Sequence, residues 1–407
     1  MQGIIKSLLV SLWFMFLTFP LMVIKVDPLN STLVWRWKNM ALIGIGSFVL
    51  SFVWRYMLAR KEANKGKLSV AQGGKPSLLA RIDGDPTLRK MAIGLAFCIF
   101  VVLPWMVSTY QTNIMISALL YVMLGLGLNI VVGLSGQLVL GYVAFYAVGS
   151  YAYALLNHHF GLGFWSVLPI GGVMAVAFGL LLGFPVLRLK GDYLAIVTLG
   201  FGEIVRLVLE NWSSFSKGPS GIANIERPSL FGMQLSVNDA TTYIYYLILV
   251  VVILTIIAVG RLKDSRIGRA LQALREDEIA CEAMGIDLTK TKLAAFALGA
   301  CWAGFAGVIF AAKTTFINPA SFTFLESAMV LAIVVLGGMG STLGVALGAF
   351  VLILLPEYLR AFSEYRMLIF GAVMVLMMVF RPQGLVSPRQ REYHIDDPEL
   401  SETGGKA

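Results

Sequence analysis

The sequence predicts an all-α polytopic membrane protein with about 10–12 membrane segments, some of them broken or re-entrant and rich in glycine. Of its 407 residues, 58% are hydrophobic and only 14% are charged, and the mean hydropathy is +0.79. Soluble domains carry about 25% charged residues. The 41 glycines favour helices that pack through small residues over a β-barrel.

The first 90 residues differ from the rest of the chain. Two apolar runs, 8–24 and 40–58, predict two leading transmembrane helices. A stretch rich in Lys and Arg follows, with a Gly-Gly-Lys-Pro break at 73–76, which is typical of a cytoplasmic linker. The predicted organisation is two transmembrane helices in 1–60, a basic cytoplasmic linker over 61–90, a core bundle over 91–385 and a polar cytoplasmic tail over 386–407.

Apolar runs of spanning length define the core bundle. A polar stretch at 210–241 and a charged stretch at 261–292 interrupt these runs. The predicted segments are 91–109, 114–132, 138–156, 164–187, 193–209, 243–260, 293–312 and 368–380, together with a glycine-rich double segment at 326–355.

The double segment breaks at Gly337, Gly338 and Gly340, and its first half is too short to span alone. It is either a pair of spans or a re-entrant loop, and both preserve the topology. A similar break at Gly133 and Gly136 lies about 200 residues earlier, a spacing consistent with an internal repeat. Irregular backbone at this depth is tolerated only when it is buried in protein or lines a cavity.

The distribution of basic residues predicts the orientation of the chain in the membrane. The 32 Lys and Arg residues outnumber the 23 acids, giving a net charge of +9. In a membrane protein this excess reports orientation and does not imply a nucleic-acid partner. When the segments alternate from an inside N-terminus, most bases fall on one side, which predicts that both termini and 261–292 are cytoplasmic.

The charged stretch 261–292 is patterned as an amphipathic helical hairpin lying under the membrane. Its second half predicts a short helix, Arg275 to Met284, with acids in the first turn and Gly285 as a C-terminal stop. Such a helix is a docking device; the alternative is a solvated loop. The apolar positions that recur at helical spacing are Ile267, Ala270, Leu271, Leu274, Ile279, Ala280 and Ala283.

Few polar residues lie at membrane depth. Glu203 and Arg206, three residues apart, share a helix face and are expected to form an ion pair. The pair is either a charged lining for the path of a zwitterion or a structural link between helices. Asn129 and Gln137 flank the first glycine-rich break, and a hydrogen bond across helices is the favoured role of each.

Motifs for catalysis are missing from the sequence. It has no phosphate-binding G-x-x-x-x-G-K-[ST], no H-E-x-x-H and no G-x-S-x-G pattern. The three cysteines have no metal-like spacing. We therefore predict a non-catalytic membrane subunit without a metal or cofactor, and a separate chain that binds ATP if transport is ATP-driven.

Four segments resemble the permease subunits of branched-chain amino-acid ABC importers, especially the LivM type with two extra N-terminal helices. The segments are Arg275–Ala312, Glu326–Gly344, Ser363–Leu385 and Gly127–Leu156.

The resemblance implies a complex in the bacterial inner membrane. Its other members would be a second permease of the LivH type, two ABC ATPase subunits and a periplasmic amino-acid-binding protein, and its substrates branched-chain amino acids. Glu282-Ala283-Met284-Gly285 resembles the E-A-A-G core of the loop by which such permeases engage their ATPases, with Met284 as a departure. The implied coupling helix comprises Arg275, Glu276, Asp277, Glu278, Ile279, Ala280, Cys281, Glu282, Ala283, Met284 and Gly285.

Two other classes of function stay open at this point. A stand-alone secondary transporter of hydrophobic amino acids is suggested by the Glu203/Arg206 pair and the repeat. A membrane enzyme would need a reactive cluster, for which His158 and His159 are the candidates.

Overall fold

The computed structural model describes residues 24–27, 32–35, 98–186, 189, 191–228 and 236–359, and part of 368–386. The chain divides into two compact units, Met1–Leu95 and Ala96–Ala407. In the first, β1 (Ile24–Asp27) pairs with antiparallel β2 (Thr32–Trp35), a hairpin that the sequence did not predict. The two leading helices, the linker and the tail beyond residue 386 lie outside the described residues.

The second unit is built from helices, as predicted. A helical segment at 98–106 comes first. The helices that follow are α1 (Thr109–Leu128), α2 (Val143–Phe160), α3 (Phe164–Val186), α4 (Asp192–Asn211), α5 (Ser213–Ser216), α6 (Val237–Asp264), α7 (Arg266–Glu276), α8 (Glu278–Ala283), α9 (Leu288–Thr314), α10 (Phe324–Gly337) and α11 (Thr342–Tyr358).

Five helical segments of the described residues are long and apolar enough to cross a membrane. The prediction of an all-α polytopic membrane protein is therefore confirmed. The five are Thr109–Leu134, Phe164–Val186, Asn238–Asp264, Leu288–Thr314 and Pro319–Gly337, and Thr342–Tyr358 is a shorter apolar helix.

Helix α9 lies at the centre of the unit and packs against α1, α2 and α3. Small residues allow this close approach. A Cβ added at Gly299 would lie 2.5 Å from Cγ2 of Val131, and one at Gly307 would lie 2.3 Å from the carbonyl oxygen of Tyr146. These glycines are therefore internal packing positions of the bundle.

The start of α2 differs from the prediction. The run 138–156 was expected to be helical, but α2 begins at Val143. Before it, the backbone N–H of Leu140 donates to Oγ1 of Thr198 at 3.1 Å, and that of Val143 donates to Oγ of Ser327 at 2.9 Å. Side chains from α4 and α10 thus bond to backbone amides at the start of this run.

The ends of α6 and α9 also extend beyond the predicted apolar runs. Helix α6 continues to Asp264, and α9 begins at Leu288, where the Asp287 side chain accepts a hydrogen bond from the Lys290 backbone N–H at 3.0 Å. These helices therefore extend past the apolar region into the charged segment between them.

A two-residue ladder joins two connecting segments at the far end of α9. Strand β3 (Ile222–Ala223) pairs with antiparallel β4 (Phe316–Ile317). The segment after α5 is thereby attached to the chain that leads from α9 into α10.

The double segment 326–355 is a helix–break–helix pair. Helices α10 and α11 pack against each other, and the chain turns between them with φ values of 110° at Gly338 and 86° at Gly340. Ser341 caps α11 by accepting a hydrogen bond from the Gly344 N–H at 3.1 Å. Positive φ values of this kind favour glycine, which explains the break in the apolar sequence.

Candidate functional site

The charged segment between α6 and α9 folds as two short helices. Ser265 caps α7 by accepting a hydrogen bond from the Gly268 N–H at 3.1 Å. Helix α7 buries Leu271 and Leu274 against the bundle. The predicted amphipathic hairpin is therefore present. Of the apolar positions predicted for its first helix, Leu271 and Leu274 are buried, whereas Ile267 is 49% exposed.

The second helix is shorter than predicted. Asp277 has extended backbone angles (φ −157°, ψ 118°) and separates α7 from α8, so Arg275 and Glu276 belong to α7. The Asp277 carboxylate accepts hydrogen bonds from the backbone N–H groups of Ile279 at 2.7 Å and Ala280 at 3.0 Å. The expected single helix from Arg275 to Met284 is therefore wrong, because Asp277 acts as an N-cap.

Gly285 ends α8, as predicted. Its φ is 80°, and its N–H donates to the Glu282 carbonyl at 3.0 Å. The N–H of Ile286 donates to the Cys281 carbonyl, also at 3.0 Å. These two bonds form a Schellman motif, in which a residue with positive φ closes the helix.

The apolar side chains of α8 point away from the bundle. Ile279 is 77% exposed, Met284 is 81% exposed, and Ala280 and Ala283 are also exposed. Only Cys281 is buried. These residues do not extend the buried face of α7, since α8 begins in a new direction at Asp277. We call Ile279, Ala280, Ala283 and Met284 the α8 outer face.

An ion pair ties α8 to the central helix. Lys292 of α9 contacts Oε1 of Glu278 at 2.8 Å, and their side chains are 9% and 25% exposed. By contrast, Lys290 and Asp287 form an exposed pair at 3.1 Å. Backbone and side-chain hydrogen bonds with Lys290 lower the pKa of Asp287. The Lys292–Glu278 pair thus joins α8 to the bundle, with the Lys292 side chain buried and Glu278 partly exposed.

Two cations of the same region bind the glycine-rich breaks. Nη1 of Arg275 donates to the Gly133 carbonyl at 2.7 Å. Nζ of Lys263, near the end of α6, donates to the Gly340 carbonyl at 3.0 Å. The break at Gly133 is therefore attached to α7, and the break at Gly340 is attached to the end of α6.

The two glycine-rich breaks also contact each other. A π-helix (Asn129–Leu134) continues α1, and Oδ1 of its buried Asn129 accepts a hydrogen bond from the Gly340 N–H at 2.8 Å. A Cβ added at Gly133 would lie 2.5 Å from the nitrogen of Gly340. This is the hydrogen bond between segments that was predicted for Asn129.

Gln137 makes no comparable bond among the described residues. It is 7% exposed, and its amide nitrogen and oxygen are buried without a hydrogen-bond partner there. It lines a cavity of about 220 Å³, together with Gly136, Arg275, Lys292 and Phe296. The cavity lies between the first break and the start of α8.

Glu203 and Arg206 form the predicted ion pair within α4. Nε of Arg206 lies 2.8 Å from Oε2 of Glu203, and its Nη1 lies 2.7 Å from Oε2 of Glu210. All three residues belong to the same helix. The triad carries one net negative charge, and its ion pairs lie within α4 and do not link α4 to another described helix.

Four polar residues at the far end of α9 were not identified from the sequence. Nζ of Lys313 donates to Oγ of Ser117 at 2.6 Å and to the carbonyl of Asn113 at 3.3 Å. The Tyr121 hydroxyl donates to the Glu326 carboxylate. In the sequence, Lys313 and Glu326 stand at the ends of apolar runs, where charges are common, and no local pattern separates them from such ends.

The histidines and cysteines show no reactive cluster in the described part of the chain. His158 and His159 are exposed, and Nε2 of His158 lies 2.9 Å from Nζ of Lys217. Among the described residues no group of His, Cys, Asp and Glu could hold a metal ion. Burial, together with the nearby Asp277 and Glu278 carboxylates, raises the pKa of the Cys281 thiol.

The family model for the permease component of branched-chain amino acid transport systems matches residues 110–378. The chain belongs to this family. The matched region runs from the second residue of α1 past the end of α11, and it contains the α7–α8 hairpin and both glycine-rich breaks. The resemblance inferred from the sequence is thereby confirmed.

Curated relatives agree with the family assignment. The chain is 48% identical over 372 residues to the high-affinity branched-chain amino acid transport system permease protein LivM of Escherichia coli K12, covering 86% of this chain and 85% of that protein. It is 26% identical to the probable LivM of Methanocaldococcus jannaschii (54% and 68% covered) and to the LivH permease of E. coli K12 (65% and 91% covered). No solved structure matches the chain.

Proposed function

We propose that this chain is a permease subunit of an ATP-driven importer for leucine, isoleucine and valine. It would work beside a second, LivH-type permease, two ABC ATPase subunits and a periplasmic amino-acid-binding protein. The proposal places it in the bacterial inner membrane with both termini cytoplasmic. Family membership and the names of its relatives support this assignment.

The proposal that this chain couples to an ATPase rests on the α8 outer face. Large apolar side chains on a charged, non-spanning hairpin are costly to expose to water, and such patches mark protein–protein contacts. Ile279 and Met284 project from a helix whose two ends are fixed by the Asp277 cap and the Gly285 turn. A rigid helix with an outward apolar face suits a groove on a partner, and we assign that groove to the ATPase.

The contacts behind α8 offer a route from the ATPases to the membrane bundle. A displacement of α8 would act on α9 through Glu278 and Lys292. The same displacement would act on the first glycine-rich break through Arg275 and Gly133. Because that break bonds to the second through Asn129 and Gly340, both breaks would move together.

The ion pairs within α4 favour a structural role for Glu203, Arg206 and Glu210. Glu203 and Arg206 have each other as partners, so a passing zwitterion would have to compete with an existing contact. We therefore place the translocation path elsewhere in the bundle.

Proteoliposome uptake tests the proposed function. The chain is reconstituted with its second permease and ATPases, and leucine-loaded binding protein is added outside. We expect accumulation of leucine that requires ATP. Accumulation driven by a proton or sodium gradient, with this chain reconstituted alone, would instead support the secondary-transporter alternative and refute the proposal.

A further inference from the structure

Two oppositely charged side chains, Lys313 and Glu326, contact the same helix at the end of the bundle remote from the hairpin. Helix α9 starts beside the hairpin at Leu288, and Lys313 is 25 residues further on, about 38 Å along the helix. Lys313 contacts Ser117 of α1, and Glu326 of α10 contacts Tyr121 of α1. Ser117 and Tyr121 are four residues apart on α1, so they lie on one face of that helix with their Cβ atoms about 6 Å apart.

Neither charge has an ion-pair partner among the described residues. The groups bonded to Lys313 are a hydroxyl and a backbone carbonyl, and the group bonded to Glu326 is a tyrosine hydroxyl. All of these groups are neutral. Charged side chains at membrane depth are costly and ordinarily pair with an opposite charge. The arrangement leaves one positive and one negative side chain available to a ligand that carries both charges.

Aromatic side chains lie beside these charges. Phe310 is three residues before Lys313 on α9 and therefore lies on the same side of the helix. Its ring centroid is 5.2 Å from that of Tyr146, which in turn lies 5.3 Å from that of Phe322. The cluster thus combines a cation, an anion and an apolar aromatic surface.

We propose that this cluster binds the zwitterionic amino acid on its way through the bundle. Lys313 binds the carboxylate, Glu326 binds the ammonium group, and Phe310 and Tyr146 contact the apolar side chain. A zwitterion supplies the counter-charge that each residue lacks, whereas a ligand with a single charge satisfies one residue and leaves the other unpaired. The inference rests on the proposed function, because it names the substrate site of that transporter.

Charge-removing variants of the reconstituted complex test the site. With Lys313→Gln or Glu326→Gln, we expect leucine uptake by the complex to fall at least tenfold, because each variant leaves one charge of the zwitterion without a partner. Conservative Lys313→Arg and Glu326→Asp variants are expected to retain measurable uptake. Glu357→Gln is the matched control, since Glu357 accepts a hydrogen bond from Tyr110 of α1 just as Glu326 does from Tyr121.

Thiol labelling provides a test that leaves both charges in place. Ser117→Cys is introduced after the three native cysteines are replaced, and a small methanethiosulfonate reagent is added from outside. We expect leucine-loaded binding protein to slow modification in the assembled complex, and leucine-free binding protein to leave the rate unchanged. This measurement decides the question if the Gln variants fail to assemble.

Two failures are distinguishable. If wild-type complex takes up leucine but the Gln variants do so equally well, or Ser117→Cys is labelled at the same rate with and without leucine, the assignment of this site is wrong while the importer function stands. If the wild-type complex shows no ATP-dependent uptake, the proposed function itself fails.

Discussion

Removing the charge of Glu278 should release α8 from the bundle. In Glu278→Gln, Lys292 keeps its charge in a site where its side chain is only 9% exposed. Breaking a buried ion pair by changing one partner costs about 3–5 kcal/mol. Glu278 is 25% exposed, and a Gln amide oxygen can still accept a hydrogen bond from Lys292, so we expect a smaller loss of about 2 kcal/mol. That loss corresponds to an increase of about thirtyfold in the population with α8 detached.

Amide hydrogen exchange of the isolated permease in detergent measures this population. Exchange over 278–285 should accelerate about thirtyfold in Glu278→Gln, while exchange within α9 changes little. In the reconstituted complex the same variant should transport less leucine per ATP hydrolysed, because α8 no longer moves rigidly with α9.

The matched control is Asp287→Asn, which also removes one carboxylate from the hairpin. Its ion pair with Lys290 is exposed, and such pairs contribute about 0–1 kcal/mol. Asn caps a helix about as well as Asp, so α9 keeps its start. Unchanged protection of 278–285 in Glu278→Gln, or equal acceleration in both variants, would refute the reasoning.

Two further predictions concern packing and reactivity. Gly149→Ala should prevent correct assembly of the bundle, because the added Cβ would lie 2.2 Å from the Gly304 carbonyl oxygen, whereas Gly163→Ala, with nothing within 4 Å, should elute normally in size-exclusion chromatography. Maleimide should modify Ala283→Cys quickly and Cys281 slowly at neutral pH, because Cys281 is buried and its raised pKa keeps the thiol protonated, and its labelling should accelerate as the pH rises. Bound ATPase should protect Ala283→Cys; equal labelling of the two positions, or no protection, would contradict the assignment of the outer face.

Local signals predicted the hairpin well. The apolar spacing of α7, the acids near the start of α8 and the glycine at its end are all readable within about twenty residues of sequence. Asp277 was placed inside a helix because an acid is favourable both in a first turn and as a cap, so composition alone does not distinguish the two positions.

Long-range contacts account for what the sequence did not predict. Asn129 and Gly340 are 211 residues apart, and both glycine-rich breaks were recognised without any indication that they meet. The late start of α2 depends on Thr198 and Ser327, which bond to its preceding amides from distant helices. Likewise, periodicity identified the apolar residues of α8 but could not tell a face that packs on its own bundle from one that is exposed.

Co-purification from membranes tests the central claim most directly. Tagged wild-type chain and Ala283→Arg, which places a charge on the α8 outer face outside the bundle, are isolated in mild detergent and their partners identified. We predict that the wild type brings down a second permease and two ATPase chains, and that Ala283→Arg retains the permease but loses the ATPases. Recovery of the wild-type chain alone, or retention of the ATPases by Ala283→Arg, would contradict the account.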